Sequence, residues 1–211
     1  MRPLRGFSLI ELLAVMAIIS LLISFGLFSF NSAVQSTQVL QGTQVVADAM
    51  ALTRLTAGAR NRPTVLRLYR YALAGAPGEI VGNPATGRYR ALMVFVDQGA
   101  GGLKAVTSLR KLPQEAIINA GQFSTILSGP GRVEKTPTTS DLSVSDIQRN
   151  YRFQDIVINP DGVSQLAPFP TDPWTLTVHG VRYGDSSTNL PPNFSTLLLN
   201  PINGAVRILR P

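Results

Sequence analysis

The sequence predicts an α+β protein in which one long N-terminal helix packs on an antiparallel, β-rich head. Three observations carry that prediction. Nineteen consecutive residues, Leu12 to Phe30, carry no charge, and only Ser20, Ser24, Gly26 and Ser29 interrupt the aliphatic and aromatic side chains. No proline occurs between Pro3 and Pro63, so a helix can continue well past that run. Beyond Pro63 the chain becomes rich in Gly, Pro, Ser, Thr and Asn, the composition of short strands joined by many turns. The expected segments are a short basic stretch at 1–6, an apolar transmembrane helix at 7–30, its amphipathic continuation at 31–60, and the head at 61–211.

With 211 residues there is room for one anchor and one domain of ordinary size. The apolar run is too long for the h-region of a cleaved secretory signal, which spans about 7–15 residues. Phe7 to Phe30 at ~1.5 Å per residue gives roughly 36 Å, enough for a hydrocarbon core of about 30 Å. Arg2 and Arg5 precede the run and no acid occurs before Glu11, so the positive-inside rule keeps that end cytoplasmic and sends the head outward. Glu11 is what a plain anchor leaves unexplained. A carboxylate in hydrocarbon costs several kcal/mol and needs a partner. Were the chain cut between Gly6 and Phe7, the new α-amine would lie four residues from Glu11, and a neighbouring molecule displaced along the helix could pair its amine with this carboxylate.

The stretch "RGFSLIELLAVMAIISLL" resembles the class III signal of type IV prepilins and type II secretion pseudopilins: a short basic leader ending in Gly6, Phe7 as first mature residue and Glu11 as the fifth. The resemblance implies that a prepilin peptidase cuts after Gly6 and N-methylates Phe7, and that Glu11 neutralises the terminal amine of an adjacent subunit. It further implies a single-pass inner-membrane protein with a cytoplasmic N-terminus and a periplasmic head. One departure is the lack of the helix-kinking proline that many major pilins carry in this run.

After Phe30 the sequence turns polar without a helix breaker. Val39, Val46, Ala49 and Leu52, widened by Val45 and Met50, recur at helical spacing, while Gln38, Gln41, Gln44 and Asp48 occupy much of the remainder. That pattern predicts one helix reaching about Gly58 or Ala59, its stripe covering the head. Arg60-Asn61-Arg62-Pro63 reads as the break, and Val65 to Tyr71 as the first strand. Further strands are expected at Tyr89–Val96, Gly121–Leu127, Tyr151–Ile158, Trp174–Val181, Phe194–Leu199 and Ala205–Leu209.

"VINPDGV" and "LLLNPINGAVRILRP" each place Asn-Pro and a glycine turn directly after a strand, and each reads as a hairpin. With "NRPTVLRL" they resemble the head of H-type minor pseudopilins and FimT-like minor pilins. "RPTVLRLYRY" and the overall length also resemble the pilin-like Verru_Chthon cassette protein D group, whose molecular role is not established.

The residues for enzymatic chemistry are missing. His179 is the only histidine and cysteine is absent, so no zinc site or nucleophile relay can form around them. "GAGG" at 99–102 lacks the Lys-Ser/Thr of a phosphate-binding loop and reads as a hairpin loop. Asp141, Asp146, Asp161, Asp172 and Asp185 show no calcium-loop spacing and read as solvated turn residues. No cofactor, metal or small-molecule substrate is expected.

The formal charge of +7 permits acidic partners without selecting one. The resemblance to FimT-like pilins leaves nucleic-acid capture as the alternative function, through Arg182, Arg207 and Arg210, with Arg132 and Lys135 as contributors. Arg207 and Arg210 are three apart, hence opposite in a regular strand. The main expectation is a minor pilin-like (pseudopilin) structural subunit of a type IV pilus or type II secretion filament, with prepilin peptidase, other pilin or pseudopilin subunits and the inner membrane as partners.

Overall fold

The computed structural model describes residues 8–138, 147, 150–168, 172–185 and 189–210, with the side chains of 25–33 excluded. Gly6, Phe7, Asp141 and Asp146 lie outside the described residues. The chain divides into two compact units, Met1–Thr37 and Gln38–Pro211. Helix α1, Leu9–Arg60, contributes to both. Among the described residues no helix is long and apolar enough to cross a membrane.

The second unit contains the C-terminal part of α1 and an antiparallel sheet. Its strands are β1 (Thr64–Tyr71), β2 (Arg88–Asp97), β3 (Leu103–Ala105), β4 (Arg110–Lys111), β5 (Ala116–Ile118), β6 (Arg152–Ile158), β7 (Trp174–Gly180), β8 (Phe194–Leu199) and β9 (Val206–Leu209), in the order β6-β1-β2-β5-β7-β8-β9, with β3 and β4 also paired to β2. This is the expected α+β arrangement. The predicted stripe is the packing face: Val39, Val46, Ala49 and Met50 are buried in one cluster with Leu66, Leu68, Leu92, Val94, Leu176, Val178, Leu197 and Leu199. Val45 and Leu52 pack at its margin, while Gln41, Gln44 and Asp48 are exposed.

The stripe is wider than its hydrophobic residues. Thr43 and Thr53 are fully buried, and each hydroxyl donates to the carbonyl four residues earlier, to Val39 at 2.8 Å and to Ala49 at 2.7 Å. Gly42 sits where a Cβ would stand 2.8 Å from the Cβ of Ala116, so the missing side chain lets α1 approach β5. Gln38 adds a bond across this contact, its Oε1 accepting from the Glu115 amide at 3.0 Å.

The opposite face of β1, β2 and β6 buries a smaller cluster of Val65, Tyr69, Tyr71, Ala91, Met93, Phe95, Ile147, Tyr151 and Phe153. The register of β1 on β2 shifts between Tyr69 and Arg70, leaving Arg90 as the extra residue on β2. This bulge returns Tyr89 to the helix-side cluster, although strict alternation with Ala91 would put it on the other face.

One expected strand is corrected. Gly121–Leu127 is a turn leading into the one-turn helix α2 (Thr125–Ser128). Its short range already contained the reason. Ser124 and Thr125 present side-chain oxygens to β7, Oγ of Ser124 accepting from the Thr177 amide and Oγ1 of Thr125 from the Thr175 amide, at 2.9 and 2.8 Å. Hydroxyls thus replace the carbonyls a strand would have offered. The backbone pairing beside β7 falls to β5, whose three residues gave too little alternation to be read as a strand, and the same holds for β3 and β4.

The two asparagine-proline turns have the same bond pattern. Asn159 donates to the Val163 carbonyl and receives the Gly162 amide; Asn200 donates to the Ala205 carbonyl and receives the Gly204 amide. Each glycine is left-handed, at φ 86 and 64°, and each turn closes as a glycine bulge. The turns also meet, since Ser164 donates to the Pro201 carbonyl at 2.8 Å and a Cβ on Gly204 would stand 2.8 Å from the Gly162 carbonyl oxygen. Elements near opposite ends of the strand order touch because the sheet curls around the helix, whose Arg54 stem lies against Gly204.

Candidate functional site

Ser8 and Glu11 form a reciprocal cap at the start of α1. The Ser8 amide and hydroxyl both donate to Oε2 of Glu11 at 2.9 Å, and the Glu11 amide donates to Oγ of Ser8 at 3.3 Å. With Leu9 as first helical residue, Ser8 is the N-cap and Glu11 the third residue of a capping box. The carboxylate also lies in the first turn, where the helix macrodipole favours negative charge. The acid that the sequence left without a partner is therefore hydrogen-bonded within one chain. The word "SLIE" carries the Ser-x-x-Glu signature that would have shown this.

Around this cap the segment is apolar on every side. Leu9, Ile10, Leu12, Leu13, Val15, Met16, Ile18 and Ile19 are each at least 45% exposed. Ser20 and Ser24 return their hydroxyls to the carbonyls of Met16 and Ser20 at 2.8 and 2.9 Å, so neither presents an unsatisfied donor to an apolar surrounding.

In the head, several cations and acids meet in ion pairs. Arg67 forks onto Asp155 through Nε at 2.8 Å and Nη2 at 3.2 Å, and its guanidinium lies 3.7 Å from the Phe153 ring centroid. Lys135 reaches the same carboxylate at 3.3 Å. Glu134 joins Arg70 at 3.3 Å, Arg152 at 3.0 Å and the Tyr89 hydroxyl at 2.8 Å. Burial, aided by Glu134, pushes the Tyr89 hydroxyl above its ordinary pKa. Glu79 is buried between Arg88 and Arg90 and also accepts the Leu73 amide at 2.9 Å, pinning the base of the 72–87 loop. Arg67 and Arg70, three residues apart on β1, occupy different surroundings.

His179 is fully buried. Asn119 Nδ2 donates to its Nε2 at 3.1 Å, and Nδ1 donates to the Gly180 carbonyl at 2.9 Å, which fixes the neutral imidazole. Burial holds its pKa below the ordinary value, opposed by the Gly180 bond and Asp185. Asp185 moves the other way, upward through burial, while its Oδ1 accepts the Ala120 amide at 2.9 Å. Asp185 ties the segment after β7 to the residues that follow β5, its carbonyl accepting from Asn119 Nδ2 and its carboxylate from the Ala120 amide. Among the described residues no group of three His, Cys, Asp or Glu side chains could hold a metal ion.

The three arginines considered for nucleic acid sit on separate elements. Arg182 lies in a 3₁₀ turn after β7 and stacks 4.7 Å from the Tyr183 ring centroid. Arg207 is in β9, two strands from β7, and Arg210 lies one residue past the strand end. β9 pairs β8 without a register shift, so Arg207 shares its face with Leu209. The proposed contributors are already engaged: Arg132 donates to the carbonyls of Ile126 and Asp155, and Lys135 pairs with Asp155.

Residues 1–27 match the prokaryotic N-terminal methylation motif, so the chain carries a prepilin-type N-terminus. Among solved structures it is similar to the minor pseudopilin EpsH from the Type 2 Secretion System of Vibrio cholerae, with a TM-score of 0.44 at 10% identity over 82% of this chain and 98% of that one. A second structure of EpsH gives 0.43 at 12% identity over 84% and 96%. No curated protein matches the chain.

Proposed function

We propose that this chain, which carries the N-terminal methylation motif of type IV pilin-like proteins, is a minor pilin or pseudopilin: a structural subunit that assembles into a filament through its N-terminal helix. The match of residues 1–27 carries the reading. Prepilin peptidase cuts between Gly6 and Phe7, the helix anchors the subunit in the inner membrane with its head in the periplasm, and assembly moves the apolar surface from lipid into helix–helix contact. Glu11 serves in both settings. In the single chain it is held by Ser8 at the helix start, and in the filament it meets the terminal amine of a neighbour. A charge satisfied by a local cap can wait in the membrane without a second subunit.

Intact mass and N-terminal sequencing of protein from cells containing a prepilin peptidase test the first step. The expected product begins at N-methylated Phe7; a chain retaining residues 1–6 under those conditions overturns the reading. Glu11→Ala is expected to be cut normally and to be lost from filaments, and its normal incorporation would remove the assembly role from this carboxylate.

A further inference from the structure

The seven-strand order ends at β6 and β9, and the chain treats these two edges differently. The outward carbonyls of β6 are met along its length: Phe153 exchanges both bonds with Lys135 at 2.8 and 2.9 Å, the Asp155 carbonyl receives Arg132 at 3.4 Å, and the Val157 carbonyl receives the Gln165 amide at 3.0 Å. β9 has no such cover among the described residues. The glycine bulge at Asn200 and Ala205 sets the alternation of its ladder, so Arg207 and Leu209 bond toward β8 while Val206 and Ile208 turn their N–H and C=O groups outward. An open edge is a template for another strand, and proteins ordinarily blunt it.

The side chains along this edge specify what would fit. Val206 and Ile208 lie on the helix side of the sheet, opposite and beside the buried Leu197 and Leu199; both are half-buried, and Val206 packs against that core. Arg207 lies exposed on the other side, where Leu209 is 44% exposed. No acid follows Asp185 in the sequence, and the only charges after it are Arg207 and Arg210. Among the described residues no ion pair engages either. At the start of the strand a cavity of about 490 Å³ opens, lined by Pro168, Pro173, Trp174, Ile202, Val206 and Arg207 among others.

We propose that the free edge of β9 docks an extended strand of a partner protein whose side chains alternate between apolar and acidic. The pleat sends alternate residues of an added strand to opposite faces, apolar ones beside Val206 and Ile208 and acidic ones beside Arg207. The cavity receives a further apolar side chain at one end. Nucleic acid fits this surface less well, since phosphate tracking needs several cations on one face and β9 itself supplies one. The inference concerns the head and does not rest on processing or assembly of the N-terminal helix.

The test uses the full-length protein in detergent with labelled peptides of about ten residues, near the upper strand length. One alternates valine with glutamate, the other valine with lysine, and a short DNA duplex is the third probe. The glutamate peptide is expected to bind and to slow amide hydrogen exchange at Val206 and Ile208. Arg207→Glu, at an exposed position, is expected to weaken it by at least about fivefold, as a reversed cross-strand charge pair would. Lys104→Glu, an exposed charge on β3, is expected to leave binding unchanged. Absence of glutamate-peptide binding, equal binding of the lysine peptide, DNA binding that displaces the glutamate peptide, or an Arg207→Glu variant that binds as before would each overturn the proposal.

Discussion

Along α1, the large apolar side chains from Leu9 to Ile23 are 45–82% exposed, whereas Val39, Val46, Ala49 and Met50 are exposed by no more than 1%. Both stretches are helical and rich in aliphatic residues. They differ in the arrangement of those residues: the first has them on every side, and the second interleaves them with Gln41, Gln44 and Asp48. A stripe can be buried against one sheet. A helix that is apolar all round must find lipid or several neighbouring helices. The same helix thus carries a stripe buried by the head and a stretch whose apolar side chains are exposed among the described residues.

The largest expected effect breaks the comparison at its buried end. Met50→Ala should lower head stability by about 2–5 kcal/mol in urea unfolding, through lost burial and the cavity left behind. Leu13→Ala in the exposed stretch should leave the same transition unmoved; an equal loss there would mean that both stretches are held by the head. Gly42→Leu comes next. The added side chain must displace Ala116 on β5, and overpacking of this kind costs about 1–3 kcal/mol by the same measurement.

The head also contains a titratable pair that the N-terminal stretch lacks. Because burial lowers the His179 pKa in the folded state, the unfolded chain binds more protons as pH falls through about 6.5, and stability falls with it. One proton limits the slope to ~1.4 kcal/mol per pH unit. Asp185, whose folded pKa is raised, opposes this at lower pH, just above the ordinary carboxylate range. His179→Gln should flatten thermal unfolding between pH 7 and the onset of the Asp185 effect; an unchanged profile would assign the dependence to other groups. The smallest effect sharpens the other end. Ser8→Ala removes both hydroxyl contacts of the capping box and should fray the first turn by about 0.5–2 kcal/mol, read as faster amide exchange at Glu11 with no change in head unfolding.

Much of the fold was legible because its signals are local. The stripe on α1 and the strands near Val65, Tyr89, Tyr151, Trp174 and Phe194 follow from side-chain period, and the Asn-Pro turns from the glycine each requires. Gly121–Leu127 misled because Phe123, Ile126 and Leu127 look strand-like, while the hydroxyls of Ser124 and Thr125 act on a strand fifty residues later. The Ser8–Glu11 cap lay within reach of the sequence. The hidden depth of His179 did not, since Asn119 and the segment around Asp185 enclose it from elsewhere in the chain.

The sequence by itself determined the uncharged run, the face that α1 turns to its sheet, the chain breaks and the methylation motif over residues 1–27. These depend on residues a few positions apart, whose spacing fixes backbone conformation or a continuous surface. Tertiary structure alone decided that Arg67 meets Asp155 and Arg70 meets Glu134, 88 and 64 residues away, that the two asparagine-proline turns touch, and that, among the described residues, carbonyls of β6 are covered while β9 stays open. Those outcomes depend on where a curled sheet returns the chain, and short-range pattern carries no record of that return.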